Sequence, residues 1–305
     1  MAERNRDDEL MRRVQQRRTQ KKKRPKWQRT LRKYWPPIRL ALLCLLLVLM
    51  IVGVAKCASG GREETLDTEP ATNATTAPTE APTEPPTTEP PTEEPTIPPV
   101  GGVIYLTFDD GPGSETPRLL EILDKYNAKA TFFVVNTPFA ETIRQISYAG
   151  HALAMHSATH DFELIYSSEE AFFEDLEKIE SVIEQYAGYR PSLIRFPGGS
   201  SNRVSMQYCE GIMTTLTQSV EEKGYIYHDW DVDSCDAGGA SSPEEIFYNV
   251  TEGCRTRTSS VVLMHDIKSY TIDAIEDIII WGQAHGYTFE AMTTDTPAIH
   301  HTVKN

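Results

Sequence analysis

Two aspartates stand side by side, Asp109 and Asp110, where the apolar stretch IYLTFDDGPG (104–113) ends in Gly111-Pro112. Neighbouring strand residues point to opposite faces, so both carboxylates can serve one site only if the backbone bends between them. Gly-Pro is a strong bend signal. Two like charges this close are costly unless a cation or a proton lies between them. In isolation, an acidic turn that merely caps the next helix would look the same. The histidines narrow the choice. His156 and His160 carry a His-x-x-x-His spacing in HSATH (156–160). Chance placement on a solvated helix face would give that spacing too. Joined to a carboxylate from another strand end, however, the pair matches the two-histidine, one-carboxylate shell of catalytic zinc or iron, which leaves a position open for water. Other polar residues arrive in the same manner: Arg195 before FPGG (196–199), the acidic run DWDVDSCD (229–236), and His265-Asp266 after VVLM (261–264). His151, His228, His285, His300 and His301 lack such company and read as structural or surface residues.

Positioning these groups needs a scaffold, and the pattern supplies one. Apolar runs at 103–107, 130–135, 152–155, 193–196, 225–231, 260–264 and 287–289 read as strands. Helical patterns fall between them, near 116–126, 138–148, 169–187, 205–223, 243–254 and 271–285. Phe172, Leu176, Ile179 and Ile183 recur at helical spacing, and SSPEE (241–245) reads as a cap followed by an early proline. Strands alternating with helices imply parallel crossovers, hence an α/β sheet or barrel. In a parallel barrel the strand C-termini converge on the rim where active sites are built. Ionisable groups arriving at five strand ends are poorly explained as solvated loop charge, so the Asp pair reads as one wall of a cation site.

The chain ahead of this domain is of another kind. Residues 1–39 hold 15 Lys/Arg against 4 Asp/Glu, whereas 40–305 hold 15 against 40. Such asymmetry suggests a tail with a separate job. The separator, LALLCLLLVLMIVGVA (40–55), is uncharged. At ~1.5 Å rise per residue it spans roughly 24 Å, slightly short of a ~30 Å hydrocarbon core, and Arg39 and Lys56 can snorkel outward. A transmembrane anchor at 40–56 is expected, with a basic cytoplasmic tail at 1–39 and everything beyond 56 outside. Gly53-Val54-Ala55 also resembles a signal-peptide cleavage site, although nearly forty preceding residues are long for a signal. Beside a membrane span, RRTQKKKRPK (17–26) reads as headgroup-binding rather than nucleic-acid-binding. Residues 57–100, rich in Thr, Pro and Glu, have almost nothing apolar to bury and read as a disordered, extended stalk. The folded domain is then 101–305, with Cys209, Cys235 and Cys254 an odd set whose pairing the sequence leaves open.

Taken in order, the motifs resemble those of the polysaccharide deacetylases, carbohydrate esterase family 4. They are Thr-Phe-Asp-Asp-Gly at 107–111, the paired histidines at 156–160, Arg-Phe-Pro-Gly-Gly at 195–199, the Asp-rich segment at 233–236 and Leu-x-His at 263–265. The resemblance implies a distorted (β/α)7 barrel that hydrolyses N-acetyl groups on a polymeric sugar. It further implies Asp110, His156 and His160 as ligands of a divalent metal, usually Zn2+, with Co2+ or Mn2+ as alternatives. Asp109 would be general base and His265 general acid, with Arg195 holding Asp109 and Asp236 orienting His265. Pro197, Gly198 and Leu263 would meet substrate, the Gly198 N–H as an oxyanion donor. Two departures bear on substrate alone: many relatives carry a bulky residue where Gly198 stands, and a Trp where this chain has Ala237. The whole reads as a membrane-tethered deacetylase of cell-wall polysaccharide, with peptidoglycan N-acetylglucosamine as first expectation. N-acetylmuramic acid, chitooligosaccharide, O-acetyl xylan or an inactive glycan-binding barrel are the alternatives, and the oligomeric state is left open.

Overall fold

The computed structural model describes residues 101–305. The predicted tail, membrane segment and stalk lie outside the described residues. Among those described, no helix is long and apolar enough to cross a membrane.

The sheet is built around β1 (Gly102–Asp109). Ile104, Leu106 and Phe108 alternate along it and are buried, which commits Tyr105, Thr107 and Asp109 to the opposite face. Every residue of β2 (Ala130–Val135) is buried, as expected of a parallel strand covered on both faces. Further strands are β3 (Ala152–Ser157), β4 (Leu193–Ile194), β5 (Ile226–Tyr227), β6 (Val232–Asp233), β7 (Ser259–His265) and β8 (Tyr287–Phe289). All pairings are parallel, in the order β5-β4-β3-β2-β1-β7-β6. One edge of β1 is shared: β8 pairs with 102–104 and β2 with 106–109. Because the strands are parallel, their C-terminal ends gather Asp109, Ser157, Asp233 and His265 at one edge.

Among the described residues seven α-helices clothe the sheet: α1 (Thr116–Lys125), α2 (Thr142–Tyr148), α3 (Phe162–Ile165), α4 (Glu169–Ala187), α5 (Ile212–Glu222), α6 (Pro243–Cys254) and α7 (Ser269–Ala284). The bounds of α4 are those the periodicity predicts. Ser168 caps it by accepting the Ala171 N–H, Gly188 ends it at φ +80°, and Phe172, Leu176, Ile179 and Ile183 form its buried face. Ser242 likewise caps α6, with Pro243 in its first turn.

The structure corrects the sequence reading at several places. The run 225–231 is not one strand: past Tyr227 the carbonyls of His228 and Asp229 accept from the Arg195 guanidinium instead of a ladder partner, and pairing resumes only at β6. Among the described residues no ladder joins β5 to β6. The seam is bridged by a later segment, in which the Asp229 N–H donates to Ile299 O (2.7 Å) and the His301 N–H to Asp229 Oδ2 (2.7 Å). The architecture is therefore a curled parallel α/β sheet of the half-barrel kind, consistent with the expected (β/α)7 barrel. The helix expected over 205–223 begins only at Ile212, after a 3-10 turn at Val204–Gln207 and Gly211 at φ +80°. The short α3, capped by Asp161, was not foreseen. Cys209, Cys235 and Cys254 are free thiols.

Candidate active site

The bend anticipated between the two aspartates occurs in Asp110 itself, at φ +68°, a region that non-glycine residues seldom enter. It turns Asp110 out of the β1 alternation, so that both carboxylates face one pocket. Asp110 Oδ1 lies 3.6 Å from His156 Nε2 and 3.3 Å from His160 Nε2. His156 sits within β3, and His160 follows it at φ +54°.

Three observations show that these residues suit a divalent ion. Their ligand atoms all lie within 4.8 Å of one another. Zinc bonds of about 2.0–2.1 Å at tetrahedral angles put donor atoms roughly 3.3–3.4 Å apart, close to the separations found here. Asp110 Oδ1 is also buried with no hydrogen-bond partner among the described residues, and such an oxygen demands an explanation. Finally, His156 Nδ1 lies 2.8 Å from Arg195 O. Donation to that carbonyl aims the Nε2 lone pair at the pocket, as outer partners of ligating histidines do. Burial pushes His156 down to about 3, so the ring is neutral and free to ligate.

Asp109 stands beside this donor set but is held elsewhere. Arg195 Nη1 donates to Asp109 Oδ1 (2.8 Å) and Thr107 Oγ1 (2.7 Å), its Nε to His228 O (2.9 Å) and its Nη2 to Asp229 O (2.9 Å). The guanidinium lies 4.0 Å from the centre of the Phe133 ring. Every arm of this buried cation is thus occupied, and Asp109 Oδ2 is left facing His156 Nε2 at 3.9 Å. Burial raises the Asp109 carboxyl, and Arg195 opposes the rise without cancelling it. Arg195→Leu strips a buried carboxylate of its partner and is expected to destabilise the fold by about 3–5 kcal/mol, read by denaturant unfolding.

His265 ends β7 in direct register with Asp109. Its Nδ1 donates to Asp236 Oδ1 (2.6 Å), while Asp236 Oδ2 accepts from the His265 N–H (2.8 Å) and Thr271 Oγ1 (2.7 Å). Burial pulls His265 down, but the Asp236 bond and the charges of Asp109, Asp236 and Asp110 outweigh it and hold the imidazole above its ordinary value. Burial also raises Asp236, yet its bonds with His265 and Thr271 leave it below the usual carboxylate range. The general acid expected at His265 must carry its proton, which the imidazole loses as pH rises through its pKa. Asp236→Asn removes the negative charge, lowers that pKa and should move the alkaline limb of kcat/KM to lower pH, measured as a pH–rate profile.

The expected substrate contacts are also placed. Leu263 shares the strand face of His265, Pro197 O accepts from Tyr166 Oη (2.7 Å), and Gly198 is exposed at φ +76°. A Cβ at Gly198 would come within 3.3 Å of the Phe162 ring, so Phe162 occupies space that a larger residue at 198 would need. Trp230 does not stand in for a residue at 237: its ring packs against Gly199 and His301 instead.

Sequence reasoning missed Asp175. Its carboxylate accepts from Ser157 Oγ (2.6 Å), the Ala158 N–H (2.7 Å), the Thr159 N–H (3.0 Å) and Thr159 Oγ1 (2.8 Å), bracing the segment between the two histidines. The signal was present: position 175 lies on the apolar stripe of α4, between Phe172 and Leu176.

A donor triad of metal type flanked by a carboxylate and an imidazole, all at the strand ends of a parallel α/β sheet, is the arrangement of a hydrolase. Residues 97–212 match the polysaccharide deacetylase family. The chain is 33% identical over 201 residues to a peptidoglycan-N-acetylglucosamine deacetylase of Bacillus cereus, covering 62% of this chain and 68% of that one. The structure is similar to the catalytic domain of a peptidoglycan N-acetylglucosamine deacetylase from Eubacterium rectale, with a TM-score of 0.66 and 50% identity across 70% of this chain and 97% of the other. It is also similar to a polysaccharide deacetylase from Bacillus cereus, with a TM-score of 0.57 and 32% identity across 66% and 96%. The chain belongs to the polysaccharide deacetylase family, the hydrolases of carbohydrate esterase family 4.

Proposed function

We propose that this chain is a membrane-tethered, zinc-dependent deacetylase of peptidoglycan that removes the acetyl group from N-acetylglucosamine. The observation that carries the reading is the pairing in one pocket of the Asp110, His156 and His160 donor set with Asp109 and His265 side by side on β1 and β7. When bound there, zinc supplies Lewis acidity to the amide carbonyl and makes water a nucleophile near neutral pH. Asp109, charge-paired to Arg195 through Oδ1, takes the proton of the attacking water on Oδ2. His265, as the imidazolium, gives its Nε2 proton to the departing nitrogen, while Asp236 keeps the other ring proton on Nδ1. The Gly198 N–H donates to the oxygen on which charge develops. A carboxylate bound to a divalent ion is a weaker base, so Asp110, as a member of the donor set, leaves that role to Asp109.

The substrate assignment draws on the relatives and on the chain ahead of the domain. A span at 40–56 with a basic cytoplasmic tail leaves 101–305 outside the cell. A stalk of forty-odd residues at ~3.1 Å each reaches on the order of 130 Å, into a thick wall. Protease added to intact cells is expected to release the 101–305 domain, and a protected domain would overturn this topology. For the chemistry, the full-length chain loaded with zinc is incubated with muropeptides and the products are weighed by mass spectrometry. Loss of one acetyl group on N-acetylglucosamine is expected, abolished by chelator and restored by zinc. Loss on muramic acid would reassign the sugar, and no acetate from any acetylated glycan would overturn the enzymatic reading.

A further inference from the structure

One fully buried carboxyl group close to the pocket has no part in the chemistry above. Asp266 follows His265 at the end of β7 and has no exposed surface. Its Oδ2 accepts from Thr116 Oγ1 at 2.5 Å, and Thr116 Oγ1 in turn accepts the Gly113 N–H at 2.7 Å. Thr116 is itself fully buried. Asp266 Oδ1 has no hydrogen-bond partner among the described residues. It packs instead on Gly111, where an added Cβ would lie 2.1 Å from it. Only glycine admits the carboxyl at that distance, so position 111 and Asp266 fit as a pair. Burial lifts the Asp266 carboxyl to about 7.

The turn at 111–113 carries Asp110 immediately before it, in a left-handed backbone conformation that the surroundings must hold. On one side the turn is pinned to the end of β2: the Val135 N–H donates to Gly111 O (2.8 Å) and Thr137 Oγ1 to Pro112 O (2.7 Å). On the other side the contacts come through Thr116 and Asp266. A buried polar pair with one oxygen left unsatisfied is a poor device for stability alone, whereas it suits the fixing of a turn from two strands at once.

We propose that Asp266 is a positioning residue that, through Thr116, locks the 111–113 turn and so sets the direction in which Asp110 meets His156 and His160. The same residue couples the turn to His265, its chain neighbour, so the donor set and the general acid share one anchor. The proposal rests on the metal-site reading above.

The test uses the full-length chain and its Thr116→Val, Thr116→Ser, Asp266→Ala and Asp266→Asn variants. Zinc affinity of the metal-stripped protein is measured by competition with a chromophoric chelator, and kcat and KM from acetate release. Partners that orient metal ligands contribute roughly 10-fold or more to metal affinity or activity. Thr116→Val and Asp266→Ala should each weaken zinc and lower kcat by about that factor, with KM unchanged. Thr116→Ser, which restores the hydroxyl, and Asp266→Asn, which keeps an acceptor for it, should approach the unaltered chain. Thr116→Val is close to isosteric, so unaltered zinc affinity and kcat in that variant overturn the proposal even if Asp266→Ala fails to fold. An unaltered chain that binds zinc yet releases no acetate counts against the deacetylase reading, and the zinc comparison still decides the role of Asp266. A chain that takes up no zinc overturns both.

Discussion

Asp109→Asn is expected to lower kcat by about 10²–10⁴-fold, the range a positioned general base contributes, while zinc uptake stays unchanged. The side chains are nearly equal in size, and the asparagine carbonyl can still accept from Arg195 Nη1, which lies 2.8 Å from Asp109 Oδ1. What disappears is the ability to take a proton at the position of Oδ2. The donor set is untouched, because Asp110, His156 and His160 are grouped without Asp109. Steady-state kinetics beside a zinc titration of the same sample read both arms. Full turnover in the variant would dismiss Asp109 as base, and a parallel loss of zinc would place it among the ligands.

The second large effect is expected from His156→Ala. His156 is buried, its Nδ1 is held by Arg195 O at 2.8 Å, and its Nε2 faces Asp110 Oδ1. Removing a ligand outright should weaken zinc by more than about 100-fold, the upper end of what losing a mere supporting partner costs. Turnover should fall below detection and should not return with added zinc. Equilibrium dialysis with metal analysis gives the binding arm. His285→Ala, which alters a ring stacked on Trp281 outside the pocket, serves as the control and should retain zinc. Near-normal zinc binding by the His156 variant would mean that the donor set has been misassigned.

Much of this site was legible in the chain. The adjacent aspartates, the paired histidines, Arg195, Asp236 and His265 stand at or just after the ends of predicted strands, and the structure brings all seven together. The long helix α4 was legible because its period, its serine cap and its closing glycine agree. Local signals failed where distant residues decide. The run at 225–231 has the composition of a strand, yet Arg195 draws off two of its carbonyls, and nothing near residue 228 announces that. Asp175 and Asp266 are acidic residues in otherwise apolar settings, a signal that marks them as unusual without saying which segment each one braces.

By itself the sequence determined the alternation of strands and helices, the order of the chemical groups along the chain and the presence of a bend at the paired aspartates, because periodicity and turn chemistry act over a few residues. The tertiary structure alone decided that Asp109 lies in register with His265, that a single Asp110 oxygen is shared between two imidazoles, and that Arg195 binds the first aspartate and not the second. These pairings join residues far apart in the chain. They follow from strand register and from burial, which leaves a polar atom only the partners that the fold brings within reach.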